Sequence, residues 1–406
     1  MIPGWGPTDR AGLHPLPGGV TATPGFRASG VVSGVKPSGR PDLALVVAET
    51  PASVGVVTTT NLVKAPACVV AERHAARGQA RAVVVNAGNA NVCTAEGEDH
   101  AERLARAAAH ELGLEPHAVL PMSTGVIGVP LPIERIEAAM PQAAAALSPD
   151  GGHDAATAIL TTDTVTKEVA FEVTDERGGR CVVAGMAKGV GMIEPAMATL
   201  LVVLTTDAPL NKALLKQLLR DAVGCTFNRI SVDGDGSTSD TVALLATGTA
   251  EQPPGLDVVA TGLHAVCADL ARAVVADGEG ATRVAGVTVR GAETEGDAEQ
   301  LARSVATSLL VRAAIHGGDP NWGRILMALG NAGVDFDVRR VSVACGDVTV
   351  CRFGVATSFD RAMAANAMRR DEVTIDVDLG VGSAAATVLT CDLTPEYVRF
   401  NAEYTT

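Results

Sequence analysis

Lys188-Gly-Val-Gly-Met-Ile-Glu-Pro-Ala-Met-Ala-Thr199-Leu-Leu-Val-Val-Leu-Thr-Thr-Asp207 passes from a glycine-rich, proline-interrupted loop into a run of leucine and valine. Glycine and proline oppose a helix before Thr199, and the short apolar run after it predicts a buried strand. A small hydroxyl residue therefore leads a core strand from behind a loop. Threonine becomes a good nucleophile when its own α-amine is the base. That amine is free only if the chain is cut between Ala198 and Thr199. On the loop–strand pattern alone the simpler reading is an ordinary strand-leading threonine.

Working outward, 406 residues suffice for a large core or for about two or three domains. With 47% apolar and 19% charged residues the composition is that of a folded globular chain. Aromatics make up only 3%, so alanine, valine and leucine must build the core. A formal charge of −14 argues against nucleic acid or an anionic membrane as partner. Eight scattered cysteines without a C-x-x-C pair read as thiols in a reducing cytosol rather than a disulfide frame. No apolar run is read as approaching the length of a membrane span, and the start of the chain lacks a signal-peptide pattern. The expectation is a soluble cytoplasmic protein.

Residues 1–41 read as an extended lead-in rich in Gly, Pro and Ser. Strand-like runs follow at Leu43–Val47, Gly55–Thr58 and Ala82–Val85, the last ending in Asn86-Ala-Gly-Asn-Ala-Asn91. Residues 98–114 are helical in character, and His100 and His110 on that helix read as solvated surface residues. Leu120-Pro-Met-Ser-Thr124-Gly125-Val-Ile-Gly128 forms a compact turn. Acyl transfer passes through a tetrahedral oxyanion that needs donors fixed beforehand. The hydroxyl of Thr124 and the N–H of Gly125, adjacent in a tight turn, can supply two. Thr161-Thr162-Asp163-Thr164 reads as a turn or N-cap cluster. Ala208–Val223 and Ala260–Val275 read as helices. The loop Asp233-Gly-Asp-Gly-Ser-Thr-Ser-Asp240 superficially suggests a calcium site, but Thr238 and Leu244 stand where glycine and glutamate are needed, so no metal is expected. Glu279 lies between Gly278 and Gly280 just past a helix C-terminus, where a carboxylate wants a cationic partner. A strand at Val284–Val289 and a helix through Gln300–Ile315 precede His316-Gly-Gly-Asp319-Pro-Asn-Trp322-Gly-Arg324. Phosphate-binding and nucleophile-elbow motifs are missing from the sequence, so no nucleotide cofactor is expected.

Taken together and in this order, these motifs resemble the ornithine acetyltransferase (glutamate N-acetyltransferase) family of arginine biosynthesis. The resemblance runs from Gly19-Val-Thr-Ala-Thr-Pro-Gly-Phe26 and Gly34-Val-Lys-Pro-Ser-Gly to the closing Tyr397-Val-Arg-Phe-Asn401-Ala-Glu-Tyr-Thr-Thr406. It implies self-cleavage before Thr199, giving an α chain of residues 1–198 and a β chain of residues 199–406. It implies Thr199 as nucleophile and Thr124 with Gly125 as oxyanion hole. It assigns Thr162 or Thr164, Lys188, Glu279, Asn401 and Thr406 to substrate binding, with Lys188 suited to a carboxylate and Glu279 to an amine of ornithine. The Asp319-to-Arg324 motif is implied to be structural, with Trp322 packing while Asp319, Asn321 and Arg324 satisfy one another.

The implied reaction is ping-pong transfer of an acetyl group from N-acetylornithine to glutamate, with no cofactor and an α2β2 assembly. The implied architecture is an α/β layered sandwich with paired sheets between helices, of N-terminal-nucleophile-like type; the alternation of strands and helices agrees with mixed α/β without fixing a topology. Two departures, Glu194 and Gly236, leave open the same chemistry on another N-acyl donor or amine acceptor in secondary metabolism. A catalytically silent scaffold protein is the reading from another class. Loss of Thr199, Lys188 or the Ser-Thr-Gly turn would favour it, and all are present.

Overall fold

The computed structural model describes residues 2–194 and 200–403. Ala198, Thr199 and Thr406 lie outside the described residues. The chain is α/β, with two sheets and helices, and it divides into two compact units.

The larger unit takes Asp9–Asn228 and Asp235–Val274. Its nine-stranded sheet runs, edge to edge, Leu13–Pro15, Lys167–Thr174, Arg180–Lys188, Leu201–Thr206, Thr241–Ala246, Leu43–Thr58, Gln79–Asn89, Val119–Val126, with Phe26–Val31 also paired to Leu43–Thr58. The apolar run that the sequence predicts after Thr199 is the fully buried strand Leu201–Thr206. It is antiparallel to Arg180–Lys188, with Lys188 opposite Leu201, and parallel to Thr241–Ala246, with Thr241 opposite Leu201.

Both faces of this sheet are covered, which is why its strands read as continuous apolar runs instead of alternating ones. Ala44, Val46, Val83 and Val85 point to one face, where Ala155, Ala156 and Ala158 of the helix Gly152–Ala158 pack. Leu43, Leu45 and Val84 point to the other, under Leu104 and Ala108 of Gly97–Leu112 and Ile136 and Met140 of Ile133–Ala145.

The smaller unit comprises Met1–Thr8, Arg229–Gly234 and Val275–Tyr404. Its seven-stranded sheet has the order Val355–Ala356, Val348–Arg352, Ser342–Cys345, Glu372–Asp378, Val284–Ala292, Ala384–Cys391, Ile230–Ser231. Here alternation is clean: Val373, Ile375 and Val377 are buried while their neighbours are half-exposed. These side chains pack with Leu301, Val305, Ile315 and Leu329 from the helices Glu295–Thr307, Leu309–Gly317 and Trp322–Gly330.

Several local readings change. The two runs at Leu43–Val47 and Gly55–Thr58 are one 16-residue strand, carried past Pro51 by a register shift between Val47 and Ala52. The lead-in contains the strand Phe26–Val31. The helix expected through Gln300–Ile315 breaks at Ser308, which is extended (φ −63°, ψ 115°) and caps the next helix by accepting from Val311 N–H. His100 is buried rather than solvated, its Nε2 3.3 Å from Glu96, whereas His110 is exposed. Contrary to the expectation of no span-length apolar run, the 21-residue helix Leu256–Ala276 is long and apolar enough for one, with a mean hydropathy of 1.5 over 18 residues in spite of Asp269 and Arg272. Within the protein 61% of that 18-residue stretch is buried, and Asp269 is clamped by Arg10 through hydrogen bonds of 2.6 and 2.9 Å.

Candidate active site

The expected Ser-Thr-Gly turn is instead the end of the strand Val119–Val126, bent by an irregularity where it pairs in parallel with Gln79–Asn89. Asn89 pairs with both Thr124 and Val126, so the register slips at Gly88 and Asn89 opposite Gly125. Such a bulge re-aims the residues beside it. Gly125 takes φ +131°, and a Cβ there would lie 2.3 Å from the carbonyl carbon of Gly88. Only glycine fits so close to a neighbouring backbone. Behind the turn, Ser123 Oγ donates to Asn86 Oδ1 at 2.5 Å and Asn86 Nδ2 donates to the Asn89 carbonyl at 2.9 Å. Asn89 Nδ2 reaches the Val129 carbonyl and Asn91 Nδ2 that of Gly97. The asparagine cluster is the buried frame of this turn.

Lys188 ends the strand Arg180–Lys188 and is 3% exposed. Its Nζ donates to Thr124 Oγ1 at 3.3 Å. A hydroxyl that accepts from an ammonium keeps its own hydrogen for another acceptor, so Thr124 remains a donor. The structure thus brings together two residues that are 64 positions apart in sequence.

An ion pair absent from the sequence expectations supports this end of the strand. Asp163 Oδ1 accepts from Lys167 Nζ at 2.8 Å and from Gly189 N–H at 2.8 Å, and Asp163 Oδ2 accepts from Thr161 N–H at 3.0 Å. Both paired side chains are fully buried. Burial alone would raise the Asp163 carboxyl, but the charges of Lys188 and Lys167 and the hydrogen bonds hold it down at about 2. Lys36 also lies in this charged region; burial, partly offset by Asp42 and reinforced by Lys188, lowers it to about 8. Of the threonines in the same segment, Thr162 is half-buried and Thr164 exposed.

Because Asp163 titrates lower in the fold than the ordinary 3.8, its ionised form stabilises the protein above that value. The contribution, on the order of 2 kcal/mol, is lost as pH falls from about 4 through about 2. Asp163→Asn is therefore expected to lower the thermal midpoint most at neutral pH, where removing one partner of a buried pair costs ~3–5 kcal/mol. The gap to the unsubstituted protein should narrow below about pH 4. A gap that stays constant between neutral pH and pH 3 would contradict this.

At the head of the next strand, Leu200 is held through both its N–H and its carbonyl. Leu200 N–H donates to Asp240 Oδ1 at 2.9 Å, and Thr241 N–H donates to the Leu200 carbonyl at 3.0 Å. Asp240 closes the polar loop first examined for calcium. That loop is stitched to the stretch after Leu43–Thr58: Thr59 Oγ1 donates to the Ser237 carbonyl and Ala65 N–H to that of Thr238. Among the described residues no group of three His, Cys, Asp or Glu side chains is placed to hold a metal ion.

In the smaller unit a second set of predicted residues meets. The terminal helix Pro395–Glu403 carries Asn401, whose Nδ2 donates to Glu279 Oε2 at 3.0 Å. Gly280, at φ +70°, permits the docking, because a Cβ there would fall 2.6 Å from Tyr397 N. Thr394 fastens the joint by donating to the Gly280 carbonyl at 2.8 Å and accepting from Tyr397 N–H at 3.2 Å. Beneath the same loop, buried Asp392 accepts from Thr282 N–H and Oγ1, Arg283 N–H and His316 Nδ1. Those bonds outweigh burial and hold its carboxyl below the usual range. His316 is thereby a support of the Glu279 loop. Asn321 Nδ2 donates to Asp319 Oδ2 at 3.0 Å and Asn321 Oδ1 caps Arg324 N–H, while the Arg324 side chain turns to the Leu310 carbonyl, and Trp322 packs on the core.

The ArgJ family pattern matches residues 27–406. The arginine biosynthesis bifunctional protein ArgJ of Symbiobacterium thermophilum is 47% identical over 401 residues, covering 96% of this chain and 99% of its own. The protein of the same name from Thermus thermophilus is 47% identical over 384 residues, covering 94% and 98%. Among solved structures, the ornithine acetyltransferase of Mycobacterium tuberculosis complexed with ornithine is 38% identical and covers 47% of this chain and 100% of its own, at a TM-score of 0.42.

Proposed function

Because the chain belongs to the ArgJ family, we propose that it transfers an acetyl group from N-acetylornithine to glutamate in arginine biosynthesis through an acyl-enzyme on Thr199. The chain is first cut between Ala198 and Thr199, which frees the α-amine that serves as base. That amine takes the Thr199 hydroxyl proton as Oγ attacks the acetyl carbonyl. The C–N bond of N-acetylornithine then breaks, and ornithine leaves with the proton on its nitrogen. Glutamate attacks the acetyl ester through its amine and restores the hydroxyl.

The observation that carries this reading is the meeting of Lys188 with Thr124 at the mouth of the strand that Thr199 leads. Thr124 and Gly125 are the donors for the oxyanion, and the buried Lys188 ammonium strengthens them as negative charge develops. Glu279, oriented by Asn401, offers a carboxylate to an ornithine amine. Thr162, Thr164 and Thr406 complete the substrate contacts in this reading. The relatives' names, which refer to arginine biosynthesis, favour this pathway over an acyl group of secondary metabolism. The same reading includes a cytoplasmic reaction and an α2β2 assembly of the two chains.

Intact mass before and after brief incubation with N-acetylornithine tests it. The expected result is two chains, residues 1–198 and 199–406, with one acetyl group gained on the second. Two chains without an adduct would reject N-acetylornithine as donor. A single chain would reject the N-terminal threonine mechanism.

A further inference from the structure

We propose that Asp240 is a positioning residue for the nucleophile: it anchors the first peptide of the second chain, and it does so as a neutral carboxyl group. The proposal rests on the function just described. The Asp240 side chain is fully buried. Its Oδ1 takes the Leu200 N–H at 2.9 Å, one residue along the chain from Thr199. Its neighbour Thr241 takes the other side of the same residue through the Leu200 carbonyl, at 3.0 Å. Asp240 is itself immobilised, since its carbonyl accepts from Thr59 N–H at 3.0 Å and from Cys68 Sγ at 3.6 Å. The start of the strand is therefore fixed by contacts independent of Thr199.

The second oxygen of the carboxyl, Oδ2, is buried without a hydrogen-bond partner among the described residues. An ionised carboxylate so placed would bear a large desolvation cost, offset only in part by the Leu200 bond. Burial pushes Asp240 well above the usual carboxylate range, in spite of the Leu200 bond, the hydroxyls of Ser237 and Thr59 and the charge of Lys188. A protonated carboxyl still accepts at Oδ1. Neutrality also suits the chemistry. An anion held on Leu200, one residue along the chain from Thr199, would favour the ammonium form of the new α-amine, which cannot act as base. A neutral anchor holds the backbone and leaves the amine free to accept a proton.

Two variants separate the possibilities. Asp240→Asn keeps the shape and the Oδ1 acceptor without charge; Asp240→Ala removes the acceptor. Self-cleavage is followed by intact mass, transfer by kcat and KM, and folding by the thermal midpoint. Asp240→Asn is expected to cut itself and turn over within about threefold of the unsubstituted chain. Asp240→Ala should slow both steps by at least about tenfold with KM little changed, the pattern of lost alignment. Rescue by Asn excludes a general packing defect as the cause, even where Asp240→Ala folds poorly. Equal rates for Asp240→Ala and the unsubstituted chain would overturn the proposal, as would an Asn variant as slow as the Ala variant, which would mean that charge is required. An unsubstituted chain that stays uncut would instead overturn the preceding reading, and this one with it.

Discussion

Purified Thr199→Ala is expected to remain one chain of 41.3 kDa and to transfer no measurable acetyl group. In the proposed mechanism one hydroxyl serves two reactions: it attacks the carbonyl of Ala198 in the cut, and later the carbonyl of the donor. Removing it therefore stops the first step, and without the first step the base for the second is still tied up in a peptide bond. A nucleophile deletion of this kind costs at least ~10⁴-fold in kcat. Thr199→Ser keeps the hydroxyl and should both cut and turn over, about tenfold more slowly. Neither substitution touches the anchoring of Leu200 by Asp240 and Thr241, so the thermal midpoint should hardly move. A Thr199→Ala protein found as two chains, or one that still transfers acetyl groups, would end the assignment.

Gly125→Ala is expected to be nearly as damaging, through geometry rather than missing chemistry. The added methyl would stand 2.3 Å from Gly88 C, 2.5 Å from Asn89 N and 2.7 Å from Gly88 Cα. All three are backbone atoms of the paired strand, so no rotamer change relieves the contact. The two strands must part where their register is already irregular. The φ of +131° is unfavourable for alanine in any case. Moving the turn displaces Thr124 and the Gly125 N–H together. We expect kcat to fall by ~10²–10³-fold, the usual loss for an oxyanion donor, and stability to fall by about 1–3 kcal/mol. Gly128→Ala is the control, because Gly128 also has positive φ (+79°) but its Cβ would enter open space. It should lose about 1–2 kcal/mol for its backbone conformation alone and retain kcat. Wild-type kcat in Gly125→Ala would show that the turn does not hold the reacting carbonyl.

The parts of this site that the sequence displayed are those with an unusual local grammar. A hydroxyl and a glycine at a strand end, or a glutamate between two glycines, stand out because ordinary strands and helices do not contain them. The residues it concealed are charged groups whose burial depends on distant segments. Asp163 sits among threonines in a polar stretch and reads as solvated, yet it joins Lys167, Gly189 and Thr161. Asp240 was hidden in a loop whose acids suggest calcium. The available signal was its position immediately before the apolar run Thr241–Ala246, which mirrors Thr199 before Leu200 and Leu201. For the fold, the apolar runs revealed the strands but not their partners. Nothing local in Leu201–Thr206 says that it pairs on one side with 180–188 and on the other with 241–246.

That arrangement has a consequence for how the protein can be made. The two strands of the large sheet that follow position 199, Leu201–Thr206 and Thr241–Ala246, are flanked on one side by Arg180–Lys188 and on the other by Leu43–Thr58. A break before Thr199 would leave a polypeptide whose strands are gripped along both edges by the other polypeptide. Translated separately, each half would expose two long rows of unpaired amide and carbonyl groups, a template for aggregation. Folding would therefore have to precede such a scission, and the hydrogen bonds formed within one molecule would become the bonds between two. Such a pair would be a kinetic product of its precursor: dilution would not separate it, and denatured halves mixed together would have no precursor to guide them back.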